Sequence, residues 1–128
     1  CVAQRLKRGG RACIQTITIA DELFERYRRG TDFIQQYIFP GGMLPSPSVF
    51  RHHARKHGLQ VVNELAFGLD YARTLAAWHA SFLHEREAVE AQGFDPRFIR
   101  TWQFYLAYCE AGFREHSIDL FQFTLEKA

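Results

Sequence analysis

A chain of 128 residues, 47% hydrophobic and 23% charged, is a single folded domain and not a disordered one. Such a domain buries about two-thirds of its unfolded surface. A net charge of +2 argues against a nucleic-acid partner, and no apolar run approaches the ~18 residues that a membrane span needs.

The three cysteines, Cys1, Cys13 and Cys109, form no CxxC pair and leave an odd one. A reducing cytoplasm fits that usage better than a disulfide framework does. Twelve Phe, five Tyr and two Trp fill a core or wall a large apolar cavity, and composition alone leaves both open. The chain begins without Met, and Val2, Ala3 and Leu6 read as the stripe of a helix already under way. It therefore reads as a piece of something longer, with no signal peptide ahead of the domain.

In chain order, Cys1–Lys7 is expected to be helical, with Lys7 and Arg8 favourably placed at its C-terminal end and Gly9-Gly10 as the stop. Arg11–Ile19 alternates, with Cys13, Gln15, Ile17 and Ile19 on one face and Ala12, Ile14, Thr16 and Thr18 on the other. Apart from its first residue, neither face is charged, which predicts a strand covered on both sides in an α/β sheet. A short helix follows over Ala20–Arg29, closed by Gly30, and Thr31 or Asp32 can cap the next one, Phe33–Ile38. Pro40 stops that helix and Gly41-Gly42 opens a turn. Met43 and Leu44 then sit in a Gly/Pro-rich loop, where apolar side chains need a cover. That cover is the chain's own core, a partner or an apolar ligand, and the last of these makes Phe39, Gly41, Gly42, Met43 and Leu44 candidate substrate-binding residues.

Ser46-Pro47-Ser48 starts a helix that runs to His57 and stops at Gly58. Leu59–Phe67 reads as a strand. A long helix carrying Leu75, Trp78, Phe82 and Val89 is expected to reach Gly93. Asp95 and Pro96 start the next, whose stripe is Phe98, Trp102, Tyr105, Leu106, Cys109 and Phe113. Ser117–Leu125 closes the chain as a strand, with Phe121, Phe123 and Leu125 on one side and Ile118 and Leu120 on the other. This order is the back half of an open α/β sheet.

The segments LKRGGRACIQTIT (Leu6–Thr18), FIQQYIFPGGMLPS (Phe33–Ser46), GLDYARTLAAWHASF (Gly68–Phe82), GFDPRFIRTWQFYLAYCEAGFR (Gly93–Arg114) and IDLFQ (Ile118–Gln122) resemble the cyclopropane-fatty-acyl-phospholipid synthase family. These are S-adenosylmethionine-dependent methyltransferases of the Rossmann-like class, and the match is to the family's C-terminal part. The resemblance implies the C-terminal part of a class I methyltransferase fold: the last sheet strands plus an inserted helical cover over a lipid pocket. The glycine-rich cofactor loop and the acidic ribose ligand belong to the part not matched, so no cofactor-binding residue is assigned in this chain.

In that family a methyl group passes from S-adenosylmethionine to a cis double bond of a phospholipid acyl chain, and a base then removes a proton so that the ring closes. The base is thought to be bicarbonate, held by several neutral and acidic groups. By motif the tyrosine of that set falls on Tyr71 and the backbone contributor on Ile17. The usual histidine falls on Gln15, a departure, since an amide both donates and accepts but carries no exchangeable charge. The resemblance also implies a cytoplasmic protein, peripheral to the inner membrane, that acts on phospholipid acyl chains. Two alternatives stand beside it: a related methyltransferase acting on an amine or another acyl chain, and a non-catalytic lipid-binding or self-associating module.

Other candidates weigh less. His53 and His57 have metal-ligand spacing but no nearby carboxylate or Cys, so the run Arg51–His57 reads as a solvated basic face, one able to touch anionic headgroups. Cys109 reads as core and Glu110 as an ion-paired surface acid. An open sheet flank along Ala12–Ile19 points to a homo-oligomer.

Overall fold

The computed structural model describes residues 2–128. The expectation of helix at Cys1 falls outside the described residues; α1 is Val2–Arg5. The order is then β1 (Arg11–Ile19), α2 (Asp21–Arg29), a π-helical turn (Ile34–Ile38), α3 (Pro47–Lys56), β2 (Leu59–Ala66), α4 (Gly68–His84), α5 (Arg86–Ala91), α6 (Pro96–Arg114) and β3 (Ile118–Lys127).

The helix starts follow from their side chains. Ser46 Oγ accepts from Val49 N–H at 3.3 Å and Asp95 Oδ1 from Phe98 N–H at 2.7 Å, each with proline at the first helical position. Asp32 Oδ1 accepts from Gln35 N–H at 2.8 Å, while Gln35 Oε1 accepts from Asp32 N–H at 3.1 Å. That reciprocal capping box opens the π-helical turn.

The three strands form one sheet in the order β1-β3-β2, with β3 antiparallel to both neighbours. Val62 is an extra residue bulged out of β2. The side chains of β3 divide as their alternation predicts. Phe123 and Leu125 pack with Ala54 and Leu59, covered by α1 and α3. Leu120 packs on the other face with Ala72, Leu75, Leu106, Cys109 and Phe113 of α4 and α6. The result is three layers, with helices on both faces of a short sheet.

Three expectations are corrected. β1 is not covered on both faces: Thr18 and Ile19 are buried, but Cys13 and Gln15 are exposed. The α4–α6 pair covers the Ile17 end of that face and does not extend to the end opposite Gln122 and Thr124. The long helix does not run to Gly93. It breaks at Glu85, beyond which only the half-buried Val89 faces inward, too little apolar burial to hold one axis. Trp78 belongs to the predicted stripe yet is half exposed.

Candidate active site

The helical stripe of α6 builds an aromatic wall. Phe94 stacks on Phe98 and Phe98 on Trp102, Trp102 meets Tyr105 at 5.2 Å between ring centres, and Tyr105 meets Phe39 edge-on at 6.4 Å. From α4, Tyr71 sets its ring edge-on to Phe113 at 5.1 Å and to Trp78 at 5.8 Å. Spacings of this kind favour edge-on and offset contacts because ring faces are negative and ring edges positive.

Three protonated groups gather at this wall. Burial pushes the Tyr105 hydroxyl up to about 12, with the Cys109 thiol beside it adding to the shift. Burial pushes that thiol up to about 11. Tyr71 is raised as well, by burial first and by Cys109 second. All three therefore stay neutral near pH 7, and the thiol, lacking thiolate character, is a poor nucleophile there. The arrangement offers aromatic faces and hydrogen-bond donors without a reactive anion.

Of the three residues predicted to hold an anion, two share one cluster and the third lies apart from it. Ile17 and Tyr71 pack against the same buried cluster. Gln15 lies two residues further along the same face of β1, exposed, with its Oε1 accepting from Gln122 Nε2 at 2.9 Å. That bond leaves the Gln15 amide NH₂ as its donor. Ile19 N–H donates to Pro45 O and Ala20 N–H to Ser117 O, just before β3. Strand alternation therefore turns the backbone N–H of Ile17 away from β3, toward the outer edge of β1.

The loop predicted to cover or line a pocket does so with one residue. Leu44 is half-buried and lines a cavity of about 580 Å³ together with Ile19, Tyr27, Ile34 and Ile118 and the charged Arg26, Asp32 and Glu115. Ile34 and Ile118 also pack on the cluster that holds Tyr71, so cavity and aromatic wall adjoin. Phe39 and Met43, by contrast, are 59% and 57% exposed. The loop is held by polar bonds: Leu44 N–H donates to the Tyr27 hydroxyl at 3.0 Å, and Gln35 Nε2 donates to Gly42 O at 3.0 Å. Gly41 takes φ +78°, a left-handed turn that suits glycine, and a Cβ at Gly42 would sit tightly against Phe39 O at 3.0 Å. Tyr27 and Tyr105 were not singled out from sequence; Tyr105 was visible only as one member of a helical stripe.

Glu110 pairs with Arg114 at 2.8 Å on the surface of α6, and Cys109 is core, both as expected.

The same fold recurs in solved methyltransferases. The chain superposes on the cyclopropane synthase MmaA2 from Mycobacterium tuberculosis with a TM-score of 0.84, at 26% identity, covering 98% of this chain and 47% of that one. For the mycolic acid cyclopropane synthase CmaA1, solved with SAH and CTAB, the TM-score is 0.80 at 31% identity, covering 92% and 44%. The fold is thus a portion of the α/β fold of S-adenosylmethionine-dependent methyltransferases.

In sequence, the profile of the family described as "Mycolic acid cyclopropane synthetase" matches residues 1–123. Among curated relatives, the tuberculostearic acid methyltransferase UfaA1 of Mycobacterium tuberculosis is 40% identical over 95% of this chain and 29% of its own length. The cyclopropane-fatty-acyl-phospholipid synthase of Escherichia coli is 34% identical over 74% of this chain and 24% of its own. The chain belongs to the mycolic acid cyclopropane synthetase family. It spans less than a third of the length of these curated relatives.

Proposed function

We propose that the full-length protein transfers a methyl group to the cis double bond of an unsaturated phospholipid acyl chain and closes a cyclopropane ring there. The observation that carries this is the neutral aromatic wall of Tyr71, Trp102, Tyr105 and Phe39 beside a largely apolar cavity of about 580 Å³. S-adenosylmethionine, when bound, supplies the electrophilic methyl group, and none of this chain's residues is assigned to hold it.

The residues present have definite work in such a reaction. Donation of the double bond's π electrons to the methyl carbon would form one C–C bond as the donor's S–CH₃ bond breaks and a neutral thioether leaves, with positive charge left on the neighbouring acyl carbon. Aromatic faces stabilise that charge, and the protonated Cys109 does not trap it. Ring closure then removes a proton from the transferred methyl. The donors at Tyr71, the Gln15 amide and the Ile17 N–H fit a small oxyanion such as bicarbonate, whose charge they would hold while it accepts that proton. Leu44 lines the cavity that would take the acyl chain, and the exposed Phe39 and Met43, with Gly41 and Gly42 shaping their turn, would meet the part of the chain outside it.

A second reading is favoured by Gln15, which stands where the family's histidine is expected. A neutral amide relays no proton, which suits a related methyltransferase acting on another acceptor, such as an amine or a different acyl chain.

The exposed α3 residues His52, His53, Arg55 and Lys56 support contact with an anionic inner-membrane surface, where each Lys or Arg contributes ~1 kcal/mol. Arg51 is excluded from that face by its pairing with Glu64. No helix among the described residues is long and apolar enough to cross a membrane. Labelled methyl transfer to phospholipid vesicles tests the proposal: label enters lipid with cis-monounsaturated chains and stays out of fully saturated ones. Equal labelling of both, or of neither, contradicts it.

A further inference from the structure

The residue before α4, Phe67, occupies the capping position but has no side-chain oxygen to offer the first turn. The missing acceptor arrives from the far end of the chain. Asp119 Oδ1 on β3 accepts from Gly68 N–H at 2.8 Å and from Leu120 N–H at 2.8 Å. Phe67 N–H in turn donates to Leu120 O at 3.0 Å, so the start of α4 is fastened to β3 at two adjacent points.

There is no slack in this latch. A Cβ at Gly68 would overlap Asp119 Oδ1 and stand 3.0 Å from a Phe113 ring carbon. Phe113 is fully buried, and its ring meets Tyr71 edge-on at 5.1 Å. Tyr71 lies one helical turn after Gly68, so its ring direction follows from where that turn is fastened.

We propose that Asp119 is the positioning residue for Tyr71. Its carboxylate caps α4 through Gly68, seats the first turn against Phe113, and so sets the phenol beside the Ile17 end of β1. This rests on the reading of Tyr71 as a holder of the anionic base. A bare glycine at 68 and a carboxylate at 119 are two halves of one device, since neither fits if the other is enlarged.

The test uses the full-length protein with ¹³Cζ-labelled tyrosine, the Tyr71 signal being assigned by its loss in Tyr71→Phe. Asp119→Asn keeps an acceptor oxygen and is expected to leave the Tyr71 signal, its titration and turnover unchanged. Asp119→Ala is expected to move the Tyr71 signal and lower its titration toward the ordinary phenol range, with the Tyr27 signal unmoved. Turnover should fall at least about tenfold, partly recovered by excess bicarbonate. Gly68→Ala displaces the carboxylate from the other side and is expected to move the same signal, which covers the case in which Asp119→Ala does not fold. An unmoved Tyr71 signal in either variant overturns the proposal. A fully active Tyr71→Phe overturns the catalytic reading of Tyr71 instead, and the two failures are read from different measurements.

Discussion

Tyr71 is the residue on which the proposed chemistry turns. It is half-buried, neutral, and edge-on to both Phe113 and Trp78. Tyr71→Phe keeps the ring contacts and removes one hydrogen bond to an anion, a loss of ~1.5–3 kcal/mol, so turnover should fall by roughly ten- to a hundredfold. Steady-state rates with and without added bicarbonate check this: partial rescue is expected, with the melting temperature unchanged. Near-normal turnover with a lowered melting temperature would mean that the phenol only packs. The role proposed for Tyr71 comes only from its motif, GLDYARTL. The cap that places it was not, because Asp119 reaches Gly68 from 51 positions away and no local pattern announces such a bond.

Among elements, local signals translated well and long-range ones did not. Ser46-Pro47 and Asp95-Pro96 each marked a helix start because the capping bond lies within three residues. The alternation along β3 sorted its side chains correctly between two helical layers. The position of β3 between β1 and β2, and the open end of β1, depend on which helices reach which part of the sheet.

The loop from Phe39 to Leu44 is held by Tyr27 and Gln35 more than by burial. Tyr27→Phe deletes one bond worth ~1 kcal/mol, so hydrogen exchange at the Leu44 amide should quicken roughly fivefold. Unchanged exchange there would show that the loop is held otherwise. Arg51 grips Glu64 through two bonds of 2.6 and 2.8 Å, tying α3 to β2. The hydrogen bond from Arg51 holds the Glu64 carboxyl below its ordinary 4.5. A depressed carboxyl stabilises the fold above its unfolded value, and that contribution is lost as pH falls through the folded one. Solvent screening limits it to about 0.5–1 kcal/mol. Urea melts of Glu64→Gln should therefore fall short of the wild type above the ordinary carboxyl value of 4.5 and converge on it as the pH falls through the depressed folded value.

For the whole molecule, the outer edge of β1 presents backbone groups of its odd-numbered residues that β3 does not pair. Such an edge favours pairing with another chain, so these 128 residues taken alone are expected to form a dimer or larger species at tens of micromolar, a rough estimate for exposed edges. Sedimentation showing only monomer at that concentration would contradict this. In the reaction proposed for the full-length protein, a methyl group is added to an acyl chain and then loses a proton to a base held by this chain's neutral donors. Reaction of the full-length protein with S-adenosylmethionine bearing a trideuterated methyl, on cis-monounsaturated phospholipid vesicles, tests it most directly. Mass spectrometry of the released fatty acid should show one added carbon carrying two deuteriums, with the double bond gone and a ring in its place. A product that retains all three deuteriums, or label found on a headgroup amine and not on the acyl chain, would contradict it.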